Sequence, residues 1–435
     1  MARKLCMDLS DQKPPWKQVA FCTEKSLQFP QLVLFQPWQQ TVCDSELLEE
    51  KEKLAKYETQ HIWELAKKMA NPYECIYTQD DSHFHPSLCI YRPLSRSFFK
   101  MVEILSVLEF FDKLPRQIPR IRSAHVAEGP GGFIEALFER ADQARRPVAS
   151  SLAMTLKPTD YHTPGWKRAA SFLQKHPQIL LHYGIDGTGD IYQKGNQESF
   201  VKLAKPGVHL FTADGGFDFS ANYAHQEMRA FHLLVCSALI GLRSLAPDGC
   251  LVIKFFDIQG QPTQILILLI TRCFREWTLY KPATSRPCNA ERYLLCRGFR
   301  SLLPEIHTLL QHIEEQSLRN QYPYFPFSDG LQNSKEFQTF QKNTEKVIAL
   351  QKSAIRTAEL YIQNPAQWKM DFPIHFQKAY DWCVNFRVPV LQKRPIDSAI
   401  ASVVSQMSER VSRQQSLKHC ADLEHPPPCD PTSPA

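Results

Sequence analysis

Short apolar runs alternate with longer amphipathic stretches from about residue 92 to residue 300. The runs are rich in β-branched and aromatic residues, as buried strands are, and the stretches between them have helical spacing. This alternation predicts an α/β fold, a mostly parallel sheet covered by helices on both faces. The predicted strands are residues 124–127, 148–156, 179–183, 208–213, 250–256, 277–281 and 293–296, and the longest helix between them is residues 224–245.

The two flanks of this region carry helical patterns. Residues 46–69 predict one helix, residues 333–362 predict another, and the end of the chain is polar and proline-rich. We therefore expect four parts. These are a partly helical N-terminal extension over residues 1–90, an α/β domain over 91–300, a helical appendage over 301–410 and a disordered tail over 411–435.

The composition is that of an ordinary soluble protein, with 435 residues, 43% hydrophobic and 22% charged. The longest aliphatic run, residues 265–270, is too short to cross a bilayer, and the first residues lack the apolar core of a signal peptide. The thirteen cysteines are scattered without a CxxC pair, which suits free thiols. We expect a soluble intracellular protein, cytoplasmic or nuclear, with no membrane contact.

Neither the net charge of the chain nor the spacing of its potential metal ligands identifies a partner or a metal site. The net charge of +6 is compatible with a polyanionic partner and equally with a solvated, slightly basic surface. In the tail, the spacing of the potential zinc ligands matches no standard finger, so we predict no metal site. Those residues are His419, Cys420, His425 and Cys429.

The candidate chemistry begins at residues 127–133, AEGPGGF, where a predicted strand turns directly into a helix. Glycines let a backbone approach a ligand closely, and a helix start presents unpaired N–H groups, so this turn indicates a nucleotide-type cofactor site. Asp214 ends one apolar strand and Lys254 lies near the end of another. Because open α/β sheets bind ligands at the carboxyl ends of their strands, we expect all three features at one edge. Singly, each also has a purely structural interpretation, such as a tight turn, an Asx-turn or a lysine that reaches solvent.

Five segments in chain order resemble the RrmJ/FtsJ-like RNA ribose 2′-O-methyltransferase family. They are SRSFFK at 95–100, AEGPGGF at 127–133, TADGG at 212–216, VIKFF at 252–256 and SRPCNAERYLLCRGF at 285–299. The resemblance implies a Rossmann-like methyltransferase fold with a seven-stranded sheet, and S-adenosylmethionine as the methyl donor, with S-adenosylhomocysteine as product. It implies a catalytic Lys-Asp-Lys-Glu tetrad, here Lys100, Asp214, Lys254 and Glu291. The segment MTLK at 154–157 and the helical flanks look most like the mRNA cap-1 methyltransferases of eukaryotes and large DNA viruses.

The implied tetrad suits methyl transfer to a ribose. A ribose hydroxyl is a poor nucleophile, so the reaction needs a base beside it and accurate placement against the methyl group. We hypothesise that Lys254 is the base, since desolvation and the nearby cation of Lys100 favour a neutral amine. Asp214 and Glu291 would orient the ammonium groups and the hydroxyl, and their charges oppose that effect. Because the methyl donor is already activated, no metal is required.

The resemblance also implies the binding residues. The predicted cofactor contacts are Glu128, Gly129, Pro130, Gly131, Gly132, Phe133, Asp190 and Asp214. No acid directly ends the second strand, where the family places a ribose carboxylate, and Asp160 is the alternative. The predicted RNA contacts are Lys157, Lys167, Arg168, Arg286 and Arg292, which would give affinity through phosphates. Tyr161, Trp166 or Tyr223 would either stack on a base or serve ordinary packing.

The leading hypothesis is methyl transfer to the first transcribed nucleotide of capped mRNA. Ribosomal or transfer RNA is an alternative substrate, and an inactive RNA-binding or stimulatory subunit is an alternative to an enzyme. A nicotinamide-dependent oxidoreductase ranks last. It needs an acid about 20 residues beyond the glycines, and Arg145, Arg146 and Pro147 occupy that region.

Overall fold

The computed structural model describes residues 14–23, 33–39, 44–58, 62–78, 87–159, 165–216, 226–325, 334–390 and 405. The proline-rich tail with its histidines and cysteines lies outside the described residues. The same holds for Asp160, Tyr161 and Tyr223. The predictions on those residues therefore stay predictions.

The strands of the described residues follow the predicted pattern through the α/β region. They are β1 (Leu34–Gln36), β2 (Ile121–Val126), β3 (Val148–Met154), β4 (Ile179–Leu181), β5 (Val208–Ala213), β6 (Leu245–Phe255), β7 (Phe274–Tyr280), β8 (Arg292–Phe299) and β9 (Tyr322–Tyr324). β2 to β8 form a seven-stranded sheet in the order β4-β3-β2-β5-β6-β8-β7. Neighbours from β4 to β6 run parallel, and β8 runs antiparallel to both β6 and β7. This mostly parallel sheet confirms the Rossmann-like methyltransferase fold.

Helices cover both faces of the sheet. The α-helices are α1 (Ser45–Glu58), α2 (Ile62–Met69), α3 (Ser97–Val107), α4 (Phe110–Lys113), α5 (Gly132–Gln143), α6 (Ala170–Lys175), α7 (Lys194–Leu203), α8 (Gln226–Ser244), α9 (Gln261–Arg272), α10 (Pro304–Ser317), α11 (Lys335–Gln363) and α12 (Pro365–Asn385). Short 3-10 helices are Pro15–Lys17, Glu74–Ile76 and Lys167–Ala169.

Side chains alternate between the two faces of each strand, and this builds two cores. Val252 packs with α3 and α5 on one face, while the next residue, Ile253, packs with α8 and α9 on the other. Strands that are buried on both faces read as continuous apolar runs, which is why the sequence pattern locates them. α3 and α5 pack against each other on the first face, and both begin at the edge where β2 and β5 end.

The flanks pack against each other, and here two expectations need correction. The predicted helix over residues 46–69 is in fact two helices, α1 and α2, both of which contact α11. The sequence pattern also missed β1 and β9, which form a separate antiparallel pair that joins the two flanks. Each strand has only three residues, too few for an alternating pattern to stand out. The four-part division of the chain stays a prediction.

Across the described ranges, every helix is either too short or too polar to cross a bilayer.

Candidate active site

The turn after β2 gives α5 an open N-terminus. Gly131 has φ +104, a left-handed conformation that a residue with a Cβ rarely adopts, and it is the N-cap residue of α5. The Gly131 N–H donates to the carbonyl of Glu128 at 2.6 Å, which closes the turn. Trp166 packs over Gly131, 3.0 Å from where a Cβ would lie, so packing explains this buried aromatic residue. The turn leaves the first N–H groups of α5 directed at the sheet edge.

Gly132 brings the start of α3 against the same turn. A Cβ on Gly132 would lie 2.3 Å from Ser97 Oγ, 2.4 Å from Ser95 Oγ and 2.9 Å from the backbone N of Phe98. Only a glycine permits this approach. It sets Lys100, in the first turn of α3, beside the strand ends.

The four predicted tetrad residues form two ion pairs at this edge. Lys100 Nζ lies 2.8 Å from each carboxylate oxygen of Glu291. Lys254 Nζ lies 3.2 Å from Asp214 Oδ1 and donates to the backbone carbonyl of Asp214 at 2.6 Å. The four side chains are 10–16% exposed, so each is largely buried but reachable from solvent.

Strand pairing places these residues. Ala213 pairs with Ile253 in β5 and β6, so the following residues, Asp214 and Lys254, are neighbours. Lys254 in turn pairs with Tyr293 in β8, and Glu291 lies two residues before Tyr293. The antiparallel direction of β8 therefore brings its first residues to the edge where the parallel strands end.

The charges of the site maintain an ionised Glu291. Burial alone would raise the pKa of this carboxyl, but the positive charges of Lys100, Lys254 and Lys281 outweigh it and lower the pKa. Tyr293 is fully buried, and its hydroxyl donates to Asp214 Oδ1 at 2.8 Å. Burial, reinforced by nearby carboxylates, raises the pKa of Tyr293 well above its usual value, so its hydroxyl stays a donor.

The sequence reasoning missed Tyr293 and Lys281. Tyr293 opens the predicted strand 293–296 and follows Glu291 by two residues, so the two-residue period of an extended backbone could have placed both on one face. Lys281 donates to the carbonyls of Asn289 and Glu291, both at 2.9 Å. Burial lowers the pKa of Lys281 to about 7, although Glu291 opposes this. These bonds fix the segment that carries Glu291, and no local sequence signal points to them.

The predicted cofactor side contains a buried polar network. Glu128 accepts a hydrogen bond from Thr212 Oγ1, and His125 Nδ1 lies 3.4 Å from its Oε2. Among the described residues, Glu128 Oε2 has no hydrogen-bond donor, and burial raises the pKa of this carboxyl. Phe133 is buried, with its ring centroid 5.9 Å from that of Tyr293, so its side chain supports the site from within the core.

The loop after β4 places Asp190 near the end of β3. A Cβ on Gly189 would lie 2.0 Å from the carbonyl oxygen of Thr155, so the loop touches the backbone beyond β3. Asp190 Oδ1 accepts from Tyr192 N at 2.9 Å, and Oδ2 accepts from Gln193 Nε2 at 3.1 Å. The carboxylate of Asp190 is thus oriented by its own turn.

The predicted RNA contacts comprise three exposed residues, one half-buried residue and one buried residue. Lys157, Lys167 and Arg168 are exposed. Arg292 is 0% exposed, and it donates to Asn343 Oδ1 at 2.9 Å and to the carbonyl of Ala290 at 3.2 Å. The structure therefore corrects the expectation for Arg292, because its guanidinium is committed to the protein interior. Arg286 Nη2 donates to Glu74 Oε1 at 3.0 Å while its side chain is 30% exposed, so its contact with RNA stays a prediction.

Comparisons with known proteins agree with this geometry. Residues 93–299 match the family model described as FtsJ-like methyltransferase. The chain is similar to three proteins named "Cap-specific mRNA (nucleoside-2′-O-)-methyltransferase 1". It is 29% identical to that of Xenopus laevis over 62% of this chain and 34% of the relative. It is 33% identical to that of Homo sapiens over 47% of this chain and 25% of the relative. It is 32% identical to that of Trypanosoma cruzi over 47% of this chain and 56% of the relative. The matched part therefore spans from a quarter to just over half of these relatives.

Proposed function

We propose that the protein methylates the ribose 2′-hydroxyl of the first transcribed nucleotide of capped mRNA, because residues 93–299 match the FtsJ-like methyltransferase family model. The observation that carries this proposal is the pair of ion pairs Lys100–Glu291 and Lys254–Asp214 beside the glycine turn. The names of the relatives support the capped mRNA substrate. Since capped mRNA occurs in the nucleus and in the cytoplasm, either compartment fits.

In this proposal Lys254 first gives up its own proton to solvent, and its amine then takes the proton from the ribose hydroxyl. The hydroxyl oxygen would bond to the methyl carbon as the bond from that carbon to the sulfonium sulfur breaks, which would leave S-adenosylhomocysteine. Asp214 holds the amine of Lys254 through the 3.2 Å contact with its Oδ1, and Tyr293 holds Asp214 by donating to the same oxygen. Lys100 and Glu291 neutralise each other and border the space for the ribose. The four side chains thus supply a base and a fixed orientation, the two contributions that a poor nucleophile requires.

S-adenosylmethionine supplies a methyl group that is already activated by the sulfonium. The residues present fit it. Glu128 Oε2 is a buried acceptor with no donor among the described residues, and the N-terminus of α5 offers N–H groups. We propose that Glu128, Gly129, Pro130, Gly131 and Gly132 approach the methionine and ribose end. Asp190 would approach the adenine, and Asp214 would contact the cofactor as well as Lys254.

For RNA, the exposed Lys157, Lys167 and Arg168 are the proposed phosphate contacts. They belong to the loop after β3 and to the 3-10 helix Lys167–Ala169, on the side of the sheet that carries the glycine turn. Contacts of this kind give affinity that depends on salt and not on sequence.

The test is methyl transfer from labelled S-adenosylmethionine to three RNAs of one sequence. One carries a cap without ribose methylation, one is uncapped, and one is capped and already 2′-O-methylated at the first nucleotide. We expect transfer to the first RNA alone. Equal transfer to the uncapped RNA would shift the proposal to ribosomal or transfer RNA. Cofactor binding without transfer to any RNA would favour an inactive RNA-binding subunit.

A further inference from the structure

Glu74 is a buried carboxylate that lies outside the family-matched residues and connects two segments of the candidate active site. It opens the 3-10 helix Glu74–Ile76 of the N-terminal extension and is 3% exposed. Its Oε1 lies 3.1 Å from Arg96 Nη1 and accepts from Arg286 Nη2 at 3.0 Å. Its Oε2 accepts from Asn71 Nδ2 at 2.8 Å. The contacts with Arg96 and Arg286 connect parts of the chain that are distant in sequence, and the contact with Asn71 fixes the orientation of the carboxylate.

The two arginines stand just before the two members of one tetrad pair. Arg96 precedes Lys100 by four residues, and it also donates to the carbonyl of Tyr77 at 2.6 Å. Arg286 precedes Glu291 by five residues. One carboxylate therefore ties the start of α3 to the loop before β8, and the Lys100–Glu291 contact of 2.8 Å forms where these two segments meet.

We propose that Glu74 is a positioning residue, which acts through Arg96 and Arg286 to hold Lys100 and Glu291 in their catalytic relation. The proposal rests on the proposed function for the role of that pair, but the contacts themselves do not. In this proposal the N-terminal extension contributes a residue that positions the catalytic side chains. The proposal also gives a role to the bond between Arg286 and Glu74.

The physical basis is the cost of an unpaired buried charge. The positive charges of Arg96 and Arg286 lower the pKa of Glu74 in spite of its burial, which would raise it. Glu74→Gln keeps the shape but leaves two guanidinium groups facing a neutral amide. Two cations without their shared anion separate, so we expect the loop before β8 to loosen.

Cys288 reports on this loop without any substrate. It lies between Arg286 and Glu291, is half-buried, and burial raises the pKa of its thiol to about 12, so it should react slowly with an alkylating reagent. In native full-length Glu74→Gln we expect alkylation of Cys288, followed by peptide mass mapping, to be about tenfold faster than in the wild type. Cys236, fully buried in the other core, should stay as slow as before.

Glu50→Gln is the matched control. Glu50 is also a buried carboxylate of the N-terminal extension, and it accepts from Arg356 Nε at 3.2 Å. Arg356 lies on α11, whereas the arginines bound by Glu74 lie at the start of α3 and in the loop before β8. In the Glu50→Gln variant we expect Cys288 to be alkylated at the wild-type rate. Arg96→Lys keeps the charge but loses the planar fork, so it should reproduce the Glu74→Gln pattern to a smaller extent. This variant keeps the test decisive if Glu74→Gln does not fold.

Kinetics completes the experiment. With capped RNA we expect Glu74→Gln to lower kcat about tenfold while the KM for S-adenosylmethionine stays within about twofold, because only Lys100 and Glu291 are displaced and the proposed cofactor contacts are not. The positioning role would be overturned if Glu74→Gln and Glu50→Gln gave equal Cys288 alkylation rates and equal kcat values. It would also be overturned if Glu74→Gln accelerated the alkylation of Cys236 as much as that of Cys288. If the wild type methylates no RNA, the proposed function fails, and the alkylation rates still decide whether Glu74 holds the loop.

Discussion

Glu103 lies one turn after Lys100 in α3, and its carboxylate is fully buried between the domain and α12. It accepts from Ala283 N and from Trp382 Nε1, both at 2.8 Å, and from the hydroxyl of Tyr280. Burial raises the pKa of Glu103 from 4.5 to about 7, although these hydrogen bonds oppose the rise. The substitution Glu103→Gln keeps the size of the side chain and removes its titration.

The sign of the pH effect follows from the raised pKa. Between pH 4.5 and 7 the folded state keeps the proton of Glu103 and the unfolded state has lost it, so the free energy of unfolding falls as the pH rises. The difference of 7 − 4.5 = 2.5 units corresponds to about 3 kcal/mol, present below pH 4.5 and lost above pH 7. Glutamine has one acceptor oxygen for three donors, which costs about 1 to 3 kcal/mol at any pH.

Urea unfolding of the wild type and of Glu103→Gln at pH 5 and pH 8 measures how the contribution of Glu103 to the free energy of unfolding changes with pH. We expect the stability advantage of the wild type to shrink by about 2 to 3 kcal/mol between the two pH values. Glu109→Gln is the control, since Glu109 lies just beyond the end of α3 and is exposed. Its pH dependence should follow that of the wild type. If Glu103→Gln keeps the wild-type pH dependence, or steepens it, the buried carboxyl is not the cause and the reasoning fails.

Three further predictions concern the site. Tyr293→Phe removes the donor to Asp214 and should slow methyl transfer about tenfold at unchanged cofactor affinity by calorimetry; an unaltered rate contradicts the role of this bond. Gly132→Ala pushes a Cβ against α3 and should slow methyl transfer about a hundredfold. Gly187→Ala is the control, since a Cβ at Gly187 would meet no atom within 4 Å. It should lower the free energy of unfolding, measured by thermal unfolding, by only about 1 kcal/mol. Lys157→Ala and Lys167→Ala should each lower the slope of log affinity against log salt by about 0.7 in RNA-binding anisotropy; an unchanged slope removes that residue from the interface.

The central strands β5 and β6 were predictable because they contain buried apolar runs, and the order of motifs placed the tetrad at one edge. The structure confirms the Rossmann-like fold and brings Lys100, Asp214, Lys254 and Glu291 together. Local patterns carry this information, since strand ends and glycine turns are properties of neighbouring residues. The roles assigned to the four residues stay predictions.

Long-range partners could not be predicted from local patterns. Glu74 and Arg286 are 212 residues apart, and Glu103 and Trp382 are 279 apart, so no spacing rule connects them. Arg292 has the basic character of a phosphate contact, and only the fold shows that its guanidinium is buried beside Asn343. Exposure is a property of the packed chain, and this explains why the prediction for Arg292 was wrong.

The central claim is that Lys254, held by Asp214, is the base for methylation of capped RNA. The most direct test is single-turnover methyl transfer to RNA with an unmethylated cap, at saturating S-adenosylmethionine, for the wild type and Lys254→Ala. We predict that the wild type methylates the 2′-oxygen of the first nucleotide, and that Lys254→Ala binds the cofactor but leaves the RNA unmethylated. A Lys254→Ala rate equal to that of the wild type, or a methyl group at another position of the RNA, would contradict the account.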